Sequence, residues 1–216
     1  MFPSTLFHVL LLSLFIILGA GPALSYLSKF WGPPQEGSLI HLKRSRPDKH
    51  EHFLNRAKVV AERSTCLRRK IGAIIVNKDG VELSSGYSGA PRNTEHCIDI
   101  GNCLRMDLKI PSGQQYELCR GVHAEQNAII NAARTGASII DGEMYISSER
   151  IKGAYSNGEE YNKIYGPCMI CKKEIINAGL TMVYMREEGV GEKSYTVKQI
   201  KELLTQEEEE WRRKRG

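Results

Sequence analysis

The chain has no strong excess of charge and no apparent internal repeat. Its 216 residues carry a formal net charge of +5, and residues 1–50, with five basic and two acidic side chains, account for +3 of it. A surface that binds nucleic acid needs clustered Lys and Arg, so no nucleic-acid partner is expected. With 41% hydrophobic and 25% charged residues, the chain suits one globular domain with extensions.

Residues 1–28 lack Asp, Glu, Lys and Arg altogether. Residues 6–18 are almost wholly apolar, and about 20 apolar residues can cross a bilayer. Positive charge comes only after this segment, which predicts membrane attachment with the following domain on the cytoplasmic side. A signal peptide is one alternative, with residues 23–25 (ALS) as the cleavage site, although no basic residue precedes the apolar run. The other alternative is an extension that is not part of the functional protein.

The rest of the chain is expected to form a linker, residues 29–47, and a domain, residues 48–216. Apolar periodicity and turn residues predict helices over 48–64, 123–134 and 168–178 and strands over 71–77, 81–87, 143–148 and 181–185. A last helix is expected from Thr196, with an apolar stripe of Val197, Ile200, Leu203 and Leu204. Its basic end, 212–215, is predicted to be a solvated face; contact with phosphate or RNA is the alternative.

Two short motifs point to a metal site. His123 is followed two residues later by Glu125, and far downstream Pro167 leads into a C-x-x-C pair, Cys168 and Cys171. One imidazole and two thiolates bind Zn²⁺ tetrahedrally and leave the fourth position for water. A C-x-x-C pair alone could also be a redox pair or half of a structural zinc site. The combination H-x-E and P-C-x-x-C is the signature of zinc deaminases, in which the Glu is the general acid and base and not a ligand.

Both halves of this motif lie where a helix is predicted to begin. The positive end of a helix dipole favours thiolate over thiol, which helps Cys168 and Cys171 to bind a metal ion. The sequence therefore predicts a catalytic zinc held by His123, Cys168 and Cys171, with Glu125 beside it.

Four cysteines remain after that assignment: Cys66, Cys97, Cys103 and Cys119. Four thiolates are the complement of a second, closed zinc site, and three of them fall in residues 88–122, a long irregular segment that a metal could hold together. His96 is the substitute ligand if one cysteine is not used. The alternative is that some of the four are ordinary buried thiols.

The chain resembles the cytidine and deoxycytidylate deaminase superfamily, and within it the deoxycytidylate (dCMP) deaminases, over roughly residues 53–184. Besides the zinc motifs, the resemblance is carried by residues 64–73 (STCLRRKIGA), 86–92 (GYSGAPR), 111–113 (PSG), 117–122 (ELCRGV), 126–129 (QNAI) and 175–179 (IINAG). It implies an α/β fold, a three-layer α/β/α sandwich with a mixed sheet of about five strands. It also implies hydrolysis of dCMP to dUMP and ammonia, a homo-oligomer and, in some members, a second zinc near the positions of Cys66 and Cys97.

The chain departs from the family pattern at two places. Ser88 stands where the family usually has Asn, at a position expected to hydrogen-bond the sugar. Residues 149–166 intervene before Pro167, as a surface loop that is either a neutral insertion or a change in substrate choice. Residues 86–92 are expected to line the nucleotide pocket, with Arg92 as the candidate for the phosphate.

Two other functions compete with dCMP deamination. One is deamination of another cytosine or adenine compound, including tRNA; the cysteine-rich segment before His123 favours the dCMP group. The other is a non-catalytic zinc-binding module attached to a membrane by its N-terminus. A purely structural zinc site has no use for Glu125, so the sequence favours an enzyme.

Overall fold

The computed structural model describes residues 45–111, 114–154 and 166–215. The predicted apolar segment 1–28 and most of the predicted linker lie outside the described residues, as do two residues of the 111–113 motif and most of the loop 149–166. Contacts divide the chain between Ser45 and Arg46, and the unit Arg46–Gly216 holds every element below. In the described ranges, no helix is both long and apolar enough to cross a membrane.

This unit contains six α-helices and five strands among the described residues. The helices are α1 (Lys49–Ala61), α2 (Cys97–Ile100), α3 (Leu104–Asp107), α4 (Ala124–Thr135), α5 (Met169–Asn177) and α6 (Val197–Arg215). The strands are β1 (Arg69–Val76), β2 (Glu82–Tyr87), β3 (Glu143–Arg150), β4 (Met182–Glu187) and β5 (Gly191–Thr196), and a single 3₁₀ turn spans Tyr116–Leu118.

The strands form one mixed sheet in the order β2-β1-β3-β4-β5. The pairs β1–β2, β1–β3 and β4–β5 are antiparallel, and β3–β4 is parallel. Parallel neighbours need a crossover, and α5 lies in the connection between β3 and β4. The predicted mixed sheet of about five strands is confirmed.

Helices cover both faces of the sheet. Alternate residues of β1 point to opposite faces, because side chains alternate along a strand. Ile74 and Val76 pack with Phe53 and Leu54 of α1. On the other face the buried cluster joins Ala73 and Ile75 of β1 to residues of three helices: Ala124, Ala128 and Ala132 of α4, Ile175 of α5 and Ile200 of α6. The fold is therefore the expected three-layer α/β/α sandwich.

Two strand glycines allow helices to approach the sheet closely. A Cβ atom on Gly72 would lie 2.3 Å from the carbonyl oxygen of Ala57 in α1. A Cβ atom on Gly86 would lie 2.3 Å from the backbone nitrogen of Ala128 in α4. Both distances are shorter than any carbon contact, so glycine is required for this packing. The Gly86 contact sets the position of α4, the helix that carries Glu125.

The predicted helix starts agree with the structure to within one residue. Asp48 caps α1, since its carboxylate accepts a hydrogen bond of 2.8 Å from the Glu51 backbone N–H. Strand β5 was not predicted. Of its six residues only Tyr195 is buried, so the strand has no apolar alternation to reveal it.

Candidate active site

The N-termini of α4 and α5 bring the three predicted metal ligands together. His123 and Cys168 are the N-cap residues of these helices, and Cys171 lies in the first turn of α5. His123 Nδ1 lies 3.3 Å from Cys171 Sγ and 3.4 Å from Cys168 Sγ. Over the described ranges this is the only group of three or more His, Cys, Asp or Glu ligand atoms that all lie within 4.8 Å of one another.

Hydrogen bonds join the two ligand-bearing helices. The Gln126 side chain accepts a bond of 2.9 Å from the His123 backbone N–H and donates one of 2.8 Å to Glu174 of α5. The Tyr116 ring packs edge-on against the His123 ring, with centroids 5.0 Å apart. These contacts fix the imidazole relative to the two sulfur atoms.

The charges of these groups favour a bound cation. The hydrogen bond from Cys171 lowers the pKa of Cys168 to about 4, although burial opposes the shift. The same pairing, together with burial, raises the pKa of Cys171 well above that of an ordinary thiol. Each sulfur atom therefore affects the ionisation of the other. A divalent ion deprotonates a coordinating thiol outright, and one imidazole with two thiolates is a donor set that Zn²⁺ prefers.

Glu125 is buried next to these ligands, in the first turn of α4. Its residue is only 6% exposed, and burial raises the pKa of its carboxyl group, an effect that the nearby His123 partly opposes. A carboxyl group whose pKa is raised toward the working pH can both accept and return a proton. The arrangement is therefore suited to general acid–base chemistry.

His123, Glu125 and Cys168 line a cavity of about 1010 Å³. Ser88 lines it as well and is 8% exposed; its Oγ lies 2.6 Å from Ser64 Oγ. Arg92 is not among the lining residues described. Its guanidinium donates a 2.7 Å hydrogen bond to Asn131 of α4, so the structure does not bring the predicted phosphate ligand to the cavity.

The residue after Ser88 connects this loop to the catalytic helix. Gly89 and Val122 form an antiparallel bridge with N–H to oxygen distances of 3.2 and 2.8 Å. Val122 immediately precedes His123. The loop that faces the cavity and the metal-ligand residue are therefore connected through backbone hydrogen bonds.

The four remaining cysteines converge on the same cavity, and all are unpaired thiols. Burial raises the pKa of Cys97, and the other three thiols, Cys103, Cys66 and Cys119, raise it further, so the four lie near one another. Their sulfur atoms do not meet the 4.8 Å spacing of the first group. His96 Nδ1 lies 3.1 Å from Thr65 Oγ1.

Sequence reasoning missed several residues at the cavity. Tyr116 and Lys172 line it, as do four residues from the end of α6: Glu207, Glu210, Trp211 and Lys214. Lys172 directly follows Cys171, and that adjacency was an available signal. The contribution of α6 depends on tertiary packing, and no local pattern reveals it.

Residues 47–187 match the cytidine and deoxycytidylate deaminase zinc-binding region, so the chain belongs to that family. The predicted resemblance is therefore confirmed.

Curated relatives include three similar proteins. The deoxycytidylate deaminase of Schizosaccharomyces pombe is 33% identical over 104 residues, 48% of this chain and 32% of the relative. ComE operon protein 2 of Bacillus subtilis is 31% identical over 139 residues, 64% of this chain and 59% of the relative. The deoxycytidylate deaminase of Mycobacterium phage D29 is 31% identical over 148 residues, 67% of this chain and 98% of the relative. The matches therefore span less than two thirds of the first two relatives.

A solved structure of dCMP deaminase from the cyanophage S-TIM5, in apo form, is 26% identical with a TM-score of 0.47, and the match covers 75% of this chain and 94% of that one.

Proposed function

We propose that the protein is a zinc-dependent hydrolase that converts dCMP to dUMP and ammonia. The observation that carries the proposal is the convergence of His123 Nδ1 and the sulfur atoms of Cys168 and Cys171 beside the buried carboxyl group of Glu125. This group opens into a cavity large enough for a nucleotide. The names of the yeast and phage relatives support dCMP as the substrate.

The ligand set defines what zinc would contribute. Held by His123, Cys168 and Cys171, the ion would act as a Lewis acid and lower the pKa of a water molecule. His123 would bind the ion through Nδ1, because that atom faces both sulfur atoms. The hydrogen bonds of Gln126 keep the two helices, and with them the three ligands, in register.

Glu125 moves the protons. It accepts one proton from the attacking water and delivers it to the ring nitrogen next to C4 as the C–O bond forms. It then takes the second proton from the new hydroxyl group and passes it to the amino group, which leaves as ammonia while C4 becomes a carbonyl carbon. A buried carboxyl group with a raised pKa can make both transfers, and its burial excludes competing water.

Ser88 is proposed to contact the sugar. Its hydroxyl lines the cavity and already pairs with Ser64, which limits how far it can reach. Because Arg92 bonds to Asn131 away from the cavity lining, the phosphate is not assigned to Arg92.

A second zinc is proposed at Cys66, Cys97, Cys103 and Cys119. The support is that the four thiols line one cavity and lie close enough to shift the pKa of Cys97. A closed site of four thiolates would hold together residues 97–119, whose described part contains only short helical turns.

Three features of the whole protein remain predictions from the sequence. They are a homo-oligomer, a cytoplasmic location for the catalytic domain, and membrane attachment through residues 1–28. Molecular mass in solution and fractionation of cells that express the full chain would test them.

The function is tested by ammonia release from a substrate panel that contains dCMP, deoxycytidine, CMP and adenosine monophosphate. We expect kcat/KM for dCMP to exceed that for deoxycytidine by at least about 100-fold, because a polar pocket left with unpaired donors rejects an analogue without the phosphate. Comparable values for the two would assign the site to another substrate.

The matched control is Glu125→Gln, which keeps the side-chain shape but cannot accept and return the proton. We expect turnover to fall by at least about 10²–10⁴-fold while the zinc content stays that of the wild type. Turnover within a few-fold of the wild type would remove Glu125 from the mechanism.

A further inference from the structure

One face of the C-terminal helix forms part of the wall of the catalytic cavity. Glu207, Glu210, Trp211 and Lys214 of α6 line the cavity that also contains His123 and Glu125. These positions are spaced three, four and seven residues from Glu207, so they lie along one side of the helix. Lys214 is exposed, as predicted for the basic end of α6, and it also borders the cavity.

Buried contacts fix α6 in this position. Ile200 is fully buried in the core, and Val197 and Leu203 pack against the same cluster. Further along the helix, Glu207 forms an ion pair with Lys172 of α5, which is only 3% exposed. A buried ammonium group needs a partner, so this pair holds the end of α6 against the helix that carries Cys171.

The match to the deaminase family ends at residue 187, whereas α6 begins at Val197. The family match therefore assigns no role to this wall.

The side chains of this wall are suited to the outer end of a nucleotide. Lys214 lies seven residues beyond Glu207, about 10 Å along the helix axis. The wall is therefore about as long as a mononucleotide measured from base to phosphate. The Lys214 ammonium lies 6.0 Å from the centre of the Trp211 ring, so a cation and an aromatic surface occur together. Because Glu207 is already paired with Lys172, Trp211 and Lys214 are the residues of this wall that can bind the sugar and the phosphate.

We propose that Lys214 binds the 5′-phosphate of the substrate and that Trp211 packs against the sugar next to it. This inference rests on the proposed function and adds the residues that would make the enzyme prefer a nucleotide to a nucleoside. Glu210 lines the same wall one turn before Lys214. Its carboxylate repels the phosphate dianion and weakens binding.

The test compares three neutralised variants of α6 in the full chain: Lys214→Gln, Glu210→Gln and Arg213→Gln. Arg213 is the matched control, because it is exposed like Lys214 and lies next to it in sequence, but is not among the described lining residues. We expect Lys214→Gln to raise KM for dCMP about tenfold, equal to about 1.4 kcal/mol, with kcat unchanged. Its kinetics with deoxycytidine should equal those of the wild type. Glu210→Gln should lower KM for dCMP, and Arg213→Gln should leave it unchanged.

A binding measurement separates affinity from catalysis. In Glu125→Gln protein, titration calorimetry with dCMP should show the same tenfold loss of affinity on adding Lys214→Gln. Suppose that the wild type deaminates dCMP and that Lys214→Gln and Arg213→Gln have the same KM for dCMP. Lys214 would then not bind the phosphate, whereas the proposed function would stand. Equal losses for dCMP and deoxycytidine would also overturn the phosphate role of Lys214, because a structural defect affects both substrates. Zinc-loaded wild type without activity on dCMP would overturn both proposals.

Discussion

Glu207→Gln should destabilise the protein because it removes one partner of a buried ion pair. The substitution leaves the Lys172 ammonium buried without a carboxylate partner, since the Lys172 side chain is 4% exposed. Removing one partner of a fully buried ion pair costs about 3–5 kcal/mol. The Glu207 side chain is 39% exposed, so water can replace part of the interaction, and we expect a loss of about 2 kcal/mol.

For a domain of this size, that loss corresponds to a decrease in Tm of about 4–8 °C. Thermal unfolding followed by circular dichroism measures it, and urea unfolding gives the free energy independently. Glu208→Gln is the control, because Glu208 is exposed and neighbours Glu207. Lys172→Met should differ from the wild type by less than about 1 kcal/mol, since an apolar side chain of similar volume does not require a partner.

The double variant Lys172→Met with Glu207→Gln tests whether an unpaired Lys172 causes the loss of stability in Glu207→Gln. It should regain most of the stability lost in Glu207→Gln, because no buried charge is then left unpaired. If Glu207→Gln and Glu208→Gln have the same Tm, the ion pair does not hold α6, and the argument for its position fails.

Three further predictions follow from contacts around the site. Gly86→Ala should lower the free energy of unfolding by about 1–3 kcal/mol in urea titrations and reduce turnover, since the new Cβ would meet Ala128 and displace α4. An unchanged free energy of unfolding would contradict the close packing of α4 on β2. Cys97→Ser should reduce the zinc content, measured by mass spectrometry, from about two ions per chain to one, and a single ion in active wild type would exclude the second site. Tyr116→Leu should weaken zinc binding about tenfold in chelator competition, because the ring that orients His123 is lost, and an unchanged affinity would show that this contact does not position the ligand.

The sequence was sufficient for the metal centre because its determinants are local. His123 and Cys168 stand at helix N-termini, and each helix follows from its own apolar periodicity. The sheet brings the N-termini of α4 and α5 together, which the local sequence does not show. The residue types and their spacing nevertheless allowed few kinds of site other than a zinc site. Strand β1 was predictable for the same reason, since four of its eight residues, Ile71, Ile74, Ile75 and Val76, are β-branched.

Features that depend on tertiary contacts could not be predicted in this way. Strand β5 pairs with β4 through its backbone while exposing most of its side chains, so it has no hydrophobic pattern. The charged residues near the end of α6 are spaced as in a solvated helix. Their place beside the cavity depends on how α6 packs on the rest of the domain, which the local sequence does not specify. Arg92 follows the pocket loop in sequence, but its hydrogen bond to Asn131 directs it away from the cavity.

The bridge between Gly89 and Val122 has a consequence for protein engineering. Exchanging the loop around Ser88 for that of another deaminase would change the backbone partner of the residue that precedes His123. A graft limited to residues 86–92 should therefore disturb metal affinity together with substrate choice. Residues 119–122 would have to be transferred with the loop, because the Gly89–Val122 bridge joins the two segments. A recombination point between them would separate the two partners of this bridge.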